Sequence, residues 1–228
     1  MVIKSTPQIL KRVSIRWLPD DAFEDTDTIA LNVDGYYMDL RVTLADKTLQ
    51  WSRAGERKTL ARDPLTFRWT RIIDSLGSRQ SDEASFVDLS NGDSLETGKF
   101  DKEGNGTLTD YEEVWRDVTE DTESDEGRSA WILQSTDGSM FLGRIGHVFL
   151  GMQESAQGDF AVRKEVWSST LGTGSWQTVF EAGRAQSIPR AGDVQRDLDT
   201  GGGEGGMAVK KGQTVVVCDS EYIVRGTG

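Results

Sequence analysis

Thr28-Ile29-Ala30-Leu31-Asn32-Val33-Asp34-Gly35-Tyr36-Tyr37-Met38-Asp39-Leu40-Arg41-Val42 is the stretch that decides the fold class. Ile29, Leu31 and Val33 alternate with other residues up to Asp34-Gly35, and Tyr36, Met38, Leu40 and Val42 alternate away from it. A period of two on both sides of Asp-Gly marks a β-hairpin, because a two-residue turn needs positive φ at both central positions. Residues 27–43 are therefore expected to form a hairpin.

Outward from this hairpin the same period predicts strands at 49–53 and, after Asp63-Pro64, at 65–73. Asn91-Gly92 marks another turn. Further on, 131–134 and 140–152 flank Asp137-Gly138, 160–167 follows Gly158-Asp159, and 176–180, 214–218 and 222–225 complete the set. Ten or more strands with almost no helical periodicity predict an all-β barrel or sandwich. The acidic run at 120–126 has no apolar residue and reads as a connection between two units. The expected organisation is a first domain at 1–120, a linker at 121–127 and a second domain at 128–228. Residues 193–206 turn from acidic to glycine-rich and read as a long surface loop.

Composition removes several functional classes. At 228 residues the chain can hide about 70% of its unfolded surface without a covalent staple. Seven Trp and eight Phe mark a folded protein. A net charge of -12 disfavours nucleic acid and anionic membrane surfaces as partners. One cysteine, Cys218, forbids an internal disulfide, and one histidine, His147, forbids a multi-histidine zinc centre. The start lacks the apolar core of a signal peptide, and no run of 18 apolar residues occurs. A cytoplasmic protein is expected, with the nucleus as a second location, and with no metal and no cofactor.

Two motifs lack their supporting context. Asp101 to Glu112 matches the calcium-binding loop of an EF-hand, but Asn91, Gly92 and Gly98 occupy the segment where the incoming helix belongs. A polar hairpin loop is the better reading. Gly201, Gly203 and Gly206 have dinucleotide-fingerprint spacing without the strand and helix that such a site requires.

The candidate site residues come from parity. Arg71 shares the strand face of Leu65, Phe67 and Trp69, and Arg144 shares that of Met140, Leu142 and Val148. An arginine on an interior face requires a carboxylate or a polar ligand. The choice lies between a buried ion pair, with Asp39 or Glu113 among the candidate acids, and a cavity-lining donor. His147 is placed on the face of Phe141, Ile145 and Phe149 as a weaker catalytic candidate, and Cys218, after three valines, is expected to be a buried, inert thiol. Tyr36, Met38, Trp51, Trp69, Trp115 and Phe149 are the candidate walls of an apolar pocket with one polar anchor.

Taken together, Ser14-Ile15-Arg16-Trp17, Asp34 to Arg41, Asp63-Pro64-Leu65, Leu95 to Gly98, Tyr111 to Arg116, Gly143 to Gly146 with Phe149, Lys211-Gly212 and Glu221 to Arg225 resemble the fungal Hri-type protein family over nearly the whole chain. The resemblance implies two antiparallel β-barrels of lipocalin-like, or calycin, topology. It also implies a casein-kinase-I-type kinase as one protein partner, and it brings no established reaction or catalytic residue. The expected function is non-catalytic binding of an apolar small molecule or a protein. The alternative is a cofactor-free pericyclase of the Diels-Alder kind, or an isomerase, with Arg71, Arg144 and His147 as its catalytic candidates. Such chemistry needs mainly a shaped pocket and one donor.

Overall fold

The computed structural model describes residues 7–119, 129–170, 173–200 and 209–228. Eight strands make the first unit: β1 (Gln8–Trp17), β2 (Thr26–Val33), β3 (Tyr36–Thr43), β4 (Leu49–Arg62), β5 (Leu65–Asp74), β6 (Asp82–Asp88), β7 (Ser94–Phe100) and β8 (Thr109–Asp117). They pair antiparallel in chain order, and β8 returns to β1, so the barrel is closed and has no free edge. The expected hairpin is β2–β3, with Asp34 at φ 45° and Gly35 at φ 84° in its turn. Strand β4 runs well past its expected end, because its outer half pairs along β5. Gly55 permits this pairing: a Cβ there would lie 1.9 Å from the Thr70 carbonyl oxygen.

The faces of the hairpin are the reverse of an ordinary barrel. Ile29, Leu31, Val33, Met38, Leu40 and Val42 point out of the barrel and form one core with Ile132, Phe141, Ile145, Leu150, Met152 and Val162 of the second unit. The polar alternates Thr28, Asn32, Asp39 and Arg41 are buried on the inner face. Alternation defines two faces of a strand without saying which is inside, and here a second sheet covers the apolar one. The contact is close. A Cβ on Gly143 would lie 2.5 Å from the Met38 sulfur, so glycine is required where that side chain crosses the second sheet.

The second unit comprises β9 (Ala130–Ser135), β10 (Met140–Ile145), β11 (Val148–Glu154), β12 (Phe160–Thr170), β13 (Thr173–Ala182), helix α1 (Ala191–Thr200), β14 (Thr214–Val217) and β15 (Ser220–Thr227). Its seven strands are ordered β13-β12-β11-β10-β9-β15-β14. The helix contacts both edge strands, β13 and β14, where strand closure would otherwise occur. Its Ala191, Val194 and Leu198 join Trp131, Leu133, Leu142 and Phe149 in the core of this unit. Two antiparallel β-units therefore make up the molecule, as strand counting predicts.

Four local expectations change. Residues 193–200 are helix and not loop: Val194 and Leu198 are buried one turn apart, and the Ala191 amide donates to Glu165 Oε2 at 2.8 Å. The stretch 140–152 is a hairpin and not one strand, because Gly146 turns at φ 54°. His147 consequently sits in that turn, half-buried, off the Phe141 and Ile145 face. Cys218 is exposed in the tight turn between β14 and β15, at φ 47°, and its amide donates to Asp197 Oδ2 at 2.8 Å. The Asp101 to Glu112 segment is the β7–β8 loop running into β8, as its turn residues indicate, and Asp101 accepts from the amides of Asn105 and Gly106. The linker at 121–127 and Gly201, Gly203 and Gly206 lie outside the described residues.

Candidate functional site

With the apolar face turned outward, the barrel lumen is filled by charge. Arg12 donates to Glu113 Oε1 at 2.6 Å, to both Glu24 oxygens at 2.8 and 3.0 Å, and to Thr26 at 2.8 Å. Arg41 reaches Glu113 at 3.1 Å and Asp39 at 3.2 Å. Arg53 bridges Asp39, at 3.3 Å, and Asp82. Arg71 also pairs with Asp82 and lies 3.5 Å from Asp74. Three of these guanidiniums surround one indole: the Cζ atoms of Arg41, Arg53 and Arg71 lie 4.9, 4.1 and 4.9 Å from the Trp51 ring, whose N–H donates to Asp74 at 3.1 Å.

Burial alone would weaken the Arg12 guanidinium's hold on its proton, but Glu113 and Glu24 more than offset this and raise its pKa. Burial likewise opposes ionisation of Asp39, yet Arg41 and Arg53 keep its carboxyl below the usual range. Glu96 behaves differently. It stands directly across the β7–β8 pair from Glu113 and accepts from the Tyr111 hydroxyl at 2.7 Å. Burial first, and the charge of Glu113 second, push its carboxyl up to about 8, so it holds its proton at neutral pH. Tyr111 is raised well above the ordinary tyrosine range by burial and by Glu96.

A cavity of about 330 Å³ opens at the end of the barrel where β1 leads to β2 and β7 to β8. Its rim is apolar and aromatic, with Trp17, Phe23, Leu76 and Phe100. Its floor holds Arg12, Arg41, Arg53, Glu96, Tyr111 and Glu113. Beneath that floor, and sharing Arg53, Glu96 and Glu113 with it, lies a chamber of about 30 Å³ walled by Trp69, Phe86 and Trp115. Chemically, the upper cavity can take an apolar ring and present it with a neutral carboxyl and a phenol. Among the described residues no cluster of three or more His, Cys, Asp or Glu has the arrangement of a metal site.

Of the residues singled out in the sequence, Trp51, Trp69, Trp115 and Arg71 meet in this lumen. The other five do not. Met38 is fully buried between the units, and Tyr36 lies outside the barrel, with its hydroxyl 3.3 Å from Glu56 and Arg225 over its ring. Arg144 and Phe149 belong to the second unit: the Arg144 Cζ lies 5.1 Å from the Trp176 ring, its Nε donates to the Gly146 carbonyl at 2.8 Å, and it also meets Gln195. His147 is in the β10–β11 turn. Arg12, Arg41, Arg53, Glu96 and Tyr111 were not legible as site residues. The signal that could have found them is the polar face itself, where Asp39-x-Arg41 and Tyr111-x-Glu113-x-Trp115 repeat with period two.

A model of the family described as Protein HRI1 matches residues 8–207. The crystal structure of an uncharacterized protein from Saccharomyces cerevisiae superposes with a TM-score of 0.70 at 18% identity, covering 97% of this chain and 99% of that one. No curated protein matches the chain. At that identity the structural likeness speaks for the fold, while the family match spans β1 to α1 and so takes in every lumen residue named above. The chain belongs to the HRI1 protein family.

Proposed function

We propose that the β1–β8 barrel is a non-catalytic binding site for a small molecule with an apolar, ring-sized body and one neutral polar head. The observation that carries this reading is the cavity, whose aromatic rim stands over a floor of paired charges. Its volume falls in the range of small-ligand sites, roughly 300–1,000 Å³. The floor arginines are already matched to carboxylates, so a charged head gains no free partner there, whereas Glu96 and Tyr111 can exchange hydrogen bonds with a carbonyl, hydroxyl or amide. The test is isothermal titration with 2-naphthamide, against wild type and a Leu76→Trp variant that narrows the exposed rim. Saturable binding lost in the variant supports the reading, and absence of binding to wild type overturns it.

A second reading has one observation in its favour. A carboxyl kept protonated beside a tyrosine can donate to a carbonyl whose oxygen gains charge, as an isomerase or pericyclase would require. In that case Tyr111→Phe would abolish conversion of a dienone while 2-naphthamide still binds. A casein-kinase-I-type protein partner and a cytoplasmic or nuclear location remain proposals that rest on the family resemblance. Among the described residues no helix is long and apolar enough to cross a membrane.

A further inference from the structure

Five arginines are buried in the lumen, and four of them meet carboxylates. Arg57 is the exception. It is 8% exposed, its guanidinium lies over Phe67 with Cζ 4.7 Å from the ring centre, and no carboxylate or hydrogen-bond acceptor engages it. A buried arginine without a counter-charge is strongly unfavourable unless something else meets it.

A second orphan shares the same space. The Trp115 Nε1 is fully buried and has no acceptor, and both side chains line the inner chamber of about 30 Å³. Asp39 lines it as well, with Oδ1 unpartnered, but its charge is committed through Oδ2 to Arg41 and Arg53. No neighbouring charge acts on Arg57; its proton affinity is lowered by burial alone, to a pKa of about 10. Two donors without acceptors, one of them cationic, thus face a space the size of about two water molecules.

We propose that the inner chamber is an anion subsite, in which the Arg57 guanidinium and the Trp115 indole N–H hold one carboxylate or comparably small monoanion. The carboxylate could belong to a free ion such as formate or to the end of a longer chain threaded into the lumen. The inference does not depend on what the upper cavity binds.

The test is the thermal unfolding midpoint against sodium formate at ionic strength held constant with gluconate, for wild type, Arg57→Met and Trp115→Phe. The wild-type midpoint should rise and saturate in the millimolar range. Arg57→Met, which keeps the stem and removes the charge, should unfold no lower than wild type without formate and should not respond to it. Trp115→Phe keeps the ring and should shift the half-saturating concentration at least threefold upward, which serves as the check should Arg57→Met fail to fold. Octanoate saturating at one-tenth the formate concentration would identify the end of a longer ligand, and equal potency would identify a free ion. A wild type that responds to neither anion beyond gluconate, or an Arg57→Met variant that responds as wild type does, overturns the proposal and leaves a chamber filled by water.

Discussion

Replacing Glu96 with glutamine isolates the proton held in the barrel. Glu96 is 7% exposed, accepts from Tyr111 and faces Glu113 across the β7–β8 pair. Its carboxyl is raised from 4.5 to about 8 by burial and by Glu113. Between those values the folded protein keeps a proton that the unfolded chain releases. Stability from this group is therefore fully present below about pH 4.5 and is lost as pH rises, by up to about 1.4 kcal/mol per unit, until the folded group ionises near pH 8. From pH 5 to pH 8 the ceiling is about 4 kcal/mol. Glutamine cannot ionise and keeps the carbonyl that accepts from Tyr111. The variant should match wild type within about 1 kcal/mol at pH 5 and exceed it by about 3 kcal/mol at pH 8. Urea unfolding followed by tryptophan fluorescence at pH 5, 6, 7 and 8 measures the difference, and subtracting the two proteins cancels every other titrating group. A difference that stays flat, or that favours wild type as pH rises, would show that Glu96 is ionised in the folded barrel and refute the reasoning.

Three further outcomes are expected. Gly143→Ala places a Cβ against the Met38 sulfur and should cost about 1–3 kcal/mol in chemical denaturation, with much of that loss recovered when combined with Met38→Ala, as a double-mutant cycle would show. Arg12→Met leaves Glu113 and Glu24 facing each other without their shared cation and should cost about 3–5 kcal/mol, lowering the urea midpoint at pH 7. Trp51→Phe removes the N–H that serves Asp74 and weakens the ring that three guanidiniums share; a loss of about 1–3 kcal/mol is expected, measured by thermal unfolding.

The strands were legible because alternation and Asp-Gly turns are local signals, and β2–β3 falls where Ile29 to Val42 indicates. The direction of each face was not. Both faces of β2 and β3 are buried, and only the position of the second unit decides that Leu31 points out and Arg41 points in. Arg71 was legible as a buried residue needing an acid, since its strand parity is sound; the identity of that acid, Asp82 with Asp74 beside it, depends on the barrel's register. Arg12 and Glu113 lie 101 residues apart, so no local pattern relates them. Helix α1 was missed because only Ala191, Val194 and Leu198 carry its apolar stripe, within a run that is otherwise acidic. His147 and Cys218 were misplaced by continuing an apolar strand pattern through a tight turn.

The outward-facing apolar surface of β2 and β3 bears on how this architecture can diversify. In most barrels the inner side chains must both hold the wall together and select the ligand, so each change inside risks the fold. Here much of the wall's cohesion comes from the seam with the second unit, where Leu31, Met38 and Leu40 are sealed. The interior carries a different constraint: its charges must balance, but they need not preserve one packed shape. Paired exchanges across the lumen, an arginine and its acid together, can therefore rewrite what the barrel recognises while the seam is left intact.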